Sequence, residues 1–357
     1  MTQLEDRFPL LKELPRLPLV SKTPAVPMPL LSEMTGTELW VKRDDLTSAR
    51  YGGNKVRKLE YLLGEAKNRG AKAVLTTGAF GSHHVLATAI HGAASGFAVH
   101  AVVAPQPRTE HVARNLRADL AAGATLHPVA RVSAVPFEMR RVERVLRHEG
   151  LRPFVIPHGG STPLGALGYV EAGLELAEQV DAGELPEPEV IYVALGSGGT
   201  AAGISIGLAA AGLTTRVVAV RVTGRLIANR FTVRSLVRGA MKLLRERDPR
   251  FPAVGELALR HLEIHAQSPS EGYGVSTPAT RKALELAAAE GLTADETYTA
   301  RAIETMMRAA EEQRFKRGLY WHTLSSADLG LLLARAPVPP RFLERYTPKA
   351  SGWRHGS

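Results

Sequence analysis

VIYVALGSGGTAAG, residues 190–203, decides the fold. An apolar run of six residues, ended by a glycine turn, reads as a strand. The small residues after the glycines open a helix. Strand, glycine turn and helix in that order form one part of a βαβ unit. Gly196, Gly198 and Gly199 let the backbone approach a ligand, and Ser197 and Thr200 add hydroxyls. The N–H groups of the helix start can then cradle a phosphate. The GxGGxxxG spacing lacks the Lys-Ser/Thr pair of a nucleotide loop. It also lacks an acidic residue about 20 positions on, where Val222 and Thr223 stand. A simple phosphate site therefore fits better than a dinucleotide site, and a glycine-rich packing turn is the plain alternative.

The same alternation extends outward from residue 38 to 335. ELWVKR (38–43), AVLTTG (73–78), AVHAVV (98–103), TLHPVA (125–130) and RVVAVRV (216–222) read as further strands. VRKLEYLLGEAKNRG (56–70) reads as an amphipathic helix stopped by Gly70, and 83–96, 110–122 and 137–149 as others. Short strands alternating with longer helices predict an α/β fold with mostly parallel sheets. Prolines and glycines cluster at 24–29 and 157–165. They suggest a small α/β domain at 51–160 inserted into a larger one made of 1–50 and 161–357.

Composition narrows the classes. The chain has 357 residues, 45% apolar and 22% charged, which suits a globular enzyme. Its net charge of +10 is spread among acidic residues, as in RRVERVLRHE (140–149), so no nucleic-acid partner is expected. No apolar run approaches the roughly 18 residues of a membrane span. MTQLEDRFPLLKELPRL at the N-terminus does not resemble a signal peptide, so a cytoplasmic location is expected. With no cysteine there is no disulfide, thiolate metal site or cysteine nucleophile.

Two more segments can carry chemistry. YGGNKVRKLEYLL (51–63) places Lys55 after two glycines at a helix start, beside Arg57 and Lys58. The helix dipole and those cations should lower its pKa and make it a better nucleophile towards a carbonyl. A surface lysine next to a turn is the bland alternative. TTGAFGSHHVLATA (76–89) repeats the strand–glycine–helix pattern. Its Ser82 either caps the helix or faces a substrate carboxylate. His83 and His84 point about 100° apart on a helix, and no third ligand joins them, so no metal is expected. Three such turns, one with a lysine poised for imine formation, suggest a phosphate-bearing aldehyde cofactor.

KRDDLTSARYGGNKVRKLEYLL (42–63), GSHH (81–84), PHGGSTPLGALGYVEAGLELAEQ (157–179), GSGGT (196–200), EGYGV (271–275) and ETYTARAI (296–303) together resemble the D-cysteine desulfhydrase / 1-aminocyclopropane-1-carboxylate (ACC) deaminase family. The likeness runs in order from about residue 17 to 335. It implies a fold-type II pyridoxal 5′-phosphate (PLP) enzyme akin to the tryptophan synthase β-subunit, with two open twisted sheets, acting as a homodimer on a small amino acid. It implies Lys55 as Schiff-base lysine and proton shuttle. Lys58 and Gly196, Ser197, Gly198, Gly199 and Thr200 would hold the phosphate, with Asn54 close by. Ser82 would face the substrate carboxylate, and Tyr273 and Tyr298 would line the substrate side. His83 stands where the family has an asparagine at the cofactor hydroxyl. Thr299 and Thr323 are the candidates for the pyridine nitrogen. His322-Thr323-Leu324-Ser325-Ser326 replaces the family's His-Thr-Gly-Gly.

The implied reaction is β-elimination from D-cysteine or a β-substituted alanine, giving a 2-oxo acid and ammonia. ACC deaminases carry a glutamate after the second tyrosine, where this chain has Thr299. A neutral hydroxyl there favours elimination over cyclopropane ring opening. The other readings are ACC deaminase-type ring opening, a catalytically altered PLP-fold binding protein and a nucleotide-dependent α/β enzyme.

Overall fold

The computed structural model describes residues 3–107, 109–266, 277–296, 298–339 and 341. Its described strands are β1 (Ala25–Pro27), β2 (Glu38–Arg43), β3 (Ala73–Ala79), β4 (Ala98–Ala104), β5 (Thr125–Pro128), β6 (Phe154–Val155), β7 (Val190–Leu195), β8 (Arg216–Arg221), β9 (Leu262–His265) and β10 (Arg317–His322). They form two sheets, ordered β1-β2-β10-β7-β8-β9 and β5-β4-β3-β6. Every pairing is parallel except that of β1 with β2. The mostly parallel, helix-flanked α/β fold is that expected from the alternation, and its division into two sheets is that implied by the resemblance.

The chain divides into two compact units. One holds the described residues of Met1–Leu14, Pro18–Tyr61 and Ser161–Ser326 with the six-stranded sheet. The other holds those of Pro15–Leu17, Leu62–Gly160 and Ala327–Ser357 with the four-stranded sheet.

Strand β7 shows why the sequence builds the larger sheet this way. Its side chains alternate, so Ile191, Val193 and Leu195 enter one core cluster while Val190, Tyr192 and Ala194 enter another. Helices Pro163–Asp181, Gly199–Ala211 and Arg230–Arg247 supply Tyr169, Ile204 and Leu236 to the first cluster. Helix Thr299–Glu311 supplies Ile303 and Met306 to the second. The first two helices nearly touch. A β-carbon on Gly173 would lie 2.9 Å from the Gly207 Cα. Glycine on both sides permits this close approach of the two helices.

Buried charges fasten the segment that presents Lys55. Arg57 donates to Asp44, at 2.7 Å, and to Glu175, at 3.1 Å. Lys42 donates to Glu175 at 2.6 Å and to Gln179. Asp44 also accepts from the Tyr169 hydroxyl and the Trp321 ring N–H, each at 2.7 Å. These groups are all buried and all partnered, as buried charges must be. Among the described residues no helix is long and apolar enough to cross a membrane.

Candidate active site

Helix Asn54–Asn68 begins two residues before the position expected from hydrophobic period alone. Gly53 makes the start possible. It has φ +88°, and a β-carbon there would come within 2.8 Å of the Thr323 carbonyl. The Asn54 amide donates to that same carbonyl at 3.0 Å, and the Gly52 amide donates to the Ser325 hydroxyl at 2.9 Å. The helix start is thereby stitched to the chain after β10.

Lys55 is partly buried, and its Nζ donates to Asn54 Oδ1 at 2.7 Å. Asn54 Nδ2 in turn donates to the Thr200 hydroxyl at 3.1 Å, linking the lysine to the glycine loop. Burial lowers the Lys55 ammonium to about 8, against the opposing pull of Asp295. From sequence alone such a shift is expected from the helix dipole and from Arg57 and Lys58. Desolvation is the larger cause, and the Arg57 guanidinium is committed to Asp44 and Glu175.

Lys58 lies one turn further on and is buried. Its Nζ donates to the Ser161 hydroxyl at 3.1 Å. That hydroxyl also accepts from the Gly199 amide at 3.1 Å and sits 2.7 Å from Ser197 Oγ. Gly198 adopts φ +92° as the N-cap of the Gly199–Ala211 helix. A β-carbon on Gly199 would stand 2.7 Å from Ser161 Oγ and 3.3 Å from Lys58 Nζ, so only glycine leaves this space open. Burial, and then the charge of Lys55, push the Lys58 ammonium well below its usual range. A bound dianion would reverse that push. Ser161 was not singled out from the sequence, although it closes the quoted PHGGS (157–161). Its partners lie 36 to 103 residues away, so only the fold reveals it.

Tyr298 immediately precedes the Thr299–Glu311 helix, and its ring Cε1 is 3.5 Å from where a Gly196 β-carbon would be. Thr299 is buried and its hydroxyl engages Asp295. Thr323 is buried at the end of β10. The larger unit thus brings Asn54, Lys55, Lys58, the 196–200 loop, Tyr298, Thr299 and Thr323 into one neighbourhood.

Ser82 and His83 belong to the other unit. Ser82 caps the His83–Ala94 helix through the Val85 amide, and both residues are partly exposed. The preceding Gly81 is held by Gln106, which accepts from its amide at 3.0 Å, and by Asn115, which donates to its carbonyl at 2.9 Å. The His83 ring lies 4.7 Å from that of His111. Tyr273 lies outside the described residues. Among the described residues no group of three or more His, Cys, Asp or Glu could hold a metal.

A glycine turn with a buried lysine lies next to a second lysine of lowered pKa on a fold with parallel sheets, an arrangement suited to a phosphate and a carbonyl. The family model "pyridoxal-phosphate dependent enzyme" matches residues 17–323, and the chain belongs to that family. It is 39% identical to the nocardicin C-9′ epimerase of Nocardia uniformis subsp. tsuyamanensis, over 92% of this chain and 98% of that one. It is 32% identical to the D-cysteine desulfhydrase of Salmonella paratyphi B, over 88% of this chain and 94% of that one. A crystal structure of an ACC deaminase homologue superimposes with a TM-score of 0.76 at 29% identity, covering 93% and 99% of the two chains.

The residues present fit the cofactor. Lys58, Ser197 and the Gly199 amide all meet the Ser161 hydroxyl at a helix start where only glycine fits at 199, a cluster of donors that suits a phosphate dianion. Lys55 is the amine that suits its aldehyde.

Proposed function

We propose that this protein is a PLP-dependent lyase that eliminates a leaving group from the β-carbon of D-cysteine or a β-substituted alanine. The observation that carries this reading is the partly buried Lys55 amine, held down to about 8 beside the glycine cradle. In the reading, Lys58, Ser161 and the 196–200 loop hold the cofactor phosphate, and Asn54 orients Lys55. Ser82 receives the substrate carboxylate, and Tyr298 and Tyr273 line its side chain. His83 stands at the cofactor's ring edge, and Thr323 or Thr299 faces its ring nitrogen. The bound cofactor supplies an electron sink conjugated to the substrate α-carbon. With its amine free, Lys55 would take the α-proton. An amine with a pKa near 8 is suited to accepting and returning a proton near neutrality. Loss of thiolate or halide from the β-carbon, followed by hydrolysis, yields a 2-oxo acid and ammonia. A cytoplasmic location and a homodimer complete the reading.

A second reading is favoured by one observation, the 39% identity to an epimerase over nearly the full length of both chains. Epimerisation shares the removal of the α-proton and ends with its return to the opposite face. Incubation with D- and L-amino acids in D2O separates the two. The lyase reading expects 2-oxo acid and ammonia from D-cysteine and β-chloro-D-alanine. Deuterium at the α-carbon with inversion, and no ammonia, would favour the epimerase. Neither product from any amino acid would overturn both.

A further inference from the structure

The turn that follows β3 carries Ser82, and side chains far away in sequence hold its backbone. Phe80 N–H donates to the Ala104 carbonyl at 3.2 Å, Gly81 N–H to Gln106 Oε1 at 3.0 Å and Ser82 N–H to the Ala79 carbonyl at 3.0 Å. The Gly81 carbonyl accepts from Asn115 Nδ2 at 2.9 Å and lies 3.2 Å from His111 Nε2. A carbonyl can only accept, which assigns His111 its proton at Nε2. Both peptide groups that flank Gly81 are thus tied to residues 25 to 34 positions away. Gln106 follows β4, and His111 and Asn115 lie one turn apart on the Glu110–Ala121 helix. That helix presses on the turn. A β-carbon on Gly81 would stand 2.9 Å from Val112 Cγ2 and 3.2 Å from Gln106 Oε1.

A helix cap needs none of this. Ser82 caps the His83–Ala94 helix through its own hydroxyl, and the contact is long, Oγ accepting from the Val85 amide at 3.4 Å. The hydroxyl proton has no acceptor among the described residues, and Ser82 is partly exposed. Asn115, by contrast, is fully buried. Burying an amide costs desolvation unless it makes its bonds, and here the bond it makes is to the Gly81 carbonyl. What the arrangement provides is one fixed placement of a hydroxyl that is free to donate.

We propose that Gln106, His111 and Asn115 are positioning residues that lock the Gly81 peptides and so aim the Ser82 hydroxyl at the substrate carboxylate. The proposal rests on the reading of Ser82 as the partner of that carboxylate. The polarity of each contact is defined. Gln106 must accept, which glutamate also does and leucine does not. Asn115 must donate, and aspartate would set an acceptor against the Gly81 carbonyl.

The test titrates the holoenzyme with D-alanine and with ethylamine, following the absorbance of the bound cofactor. The two amines differ by the carboxylate. Gln106→Leu and Asn115→Asp should bind D-alanine about three- to tenfold more weakly, the worth of one hydrogen bond, and ethylamine within about twofold of the wild type. Gln106→Glu should restore D-alanine binding, and Ser82→Ala should show the same selective loss as Gln106→Leu. If Asn115→Asp does not fold, the two Gln106 variants decide. Gln106→Leu binding both amines as the wild type does, or losing both equally, would overturn the clamp alone, provided that Ser82→Ala loses D-alanine selectively. So would a Gln106→Glu protein as weak as Gln106→Leu. Unchanged D-alanine binding by Ser82→Ala would overturn the reading of Ser82, and the proposal with it.

Discussion

Lys55 and Gly198 are the residues on which the proposed chemistry depends most. Lys55→Ala should abolish the absorbance of bound cofactor and lower kcat/KM by at least about 10²–10⁴-fold. A borohydride-reducible lysine adduct persisting in that variant would refute the assignment. Gly198 is left-handed at φ +92°, a conformation that a β-branched residue adopts only under strain. Gly198→Val should therefore lose most of its PLP on dialysis while keeping the far-UV signal of a folded chain, and full retention would argue against the cradle. Lys55 was legible because two glycines and a helix start frame it in the sequence. The cause of its lowered pKa was not, because sequence neighbours need not be spatial ones. Arg57 stands two positions away, yet its charge is spent on Asp44 and Glu175. Ser161 was illegible for the converse reason, since its partners lie 36 to 103 residues away, a separation that no local pattern encodes.

At the scale of elements, strands β2 and β7 could be read to the residue, because short apolar runs end sharply at turn signals. Their neighbours could not. Strand β10 lies between them, pairing Leu319 with both Trp40 and Ile191, and such pairing is set by packing of the whole sheet. The network under this sheet makes a pH prediction. Burial pushes the Glu175 carboxyl up, but Arg57 and Lys42 more than offset it and carry it down to about 2. Its usual value is about 4.3. The folded state therefore gains stability from this group in full above about pH 4.3 and loses it as pH falls towards 2. The difference corresponds to about 3 kcal/mol. Glu175→Gln should lose about 3–5 kcal/mol at pH 7, by leaving Arg57 and Lys42 short of an anion. Urea unfolding from pH 7 to pH 3 would show it, with the variant flatter than the wild type on the acid side. Equal acid slopes would mean that the network contributes nothing.

At the scale of the whole molecule, the prediction concerns which reaction the site supports. Thr299 is neutral, and its hydroxyl is engaged by Asp295. A neutral group at the ring nitrogen leaves the electron sink weak, which suffices when a good leaving group departs from the β-carbon. Opening an unactivated cyclopropane demands more. D-Cysteine and β-chloro-D-alanine should thus exceed ACC in kcat/KM, and ACC turnover at or above theirs would refute this. Binding of PLP should also raise the unfolding temperature with cofactor concentration, because a ligand of the folded state alone stabilises by mass action. The stitching of the Lys55 segment to the chain after β10 has a further consequence, in the time order of synthesis. The Gly52 amide finds its partner in Ser325, 273 residues later. At about 5–20 residues per second, a ribosome takes roughly 15–55 s to cover that distance. Throughout that interval the nascent lysine has been made but the wall behind it has not. In the proposed site, cofactor loading is therefore expected only after residue 325 has been made, which pulse-labelled nascent chains would check.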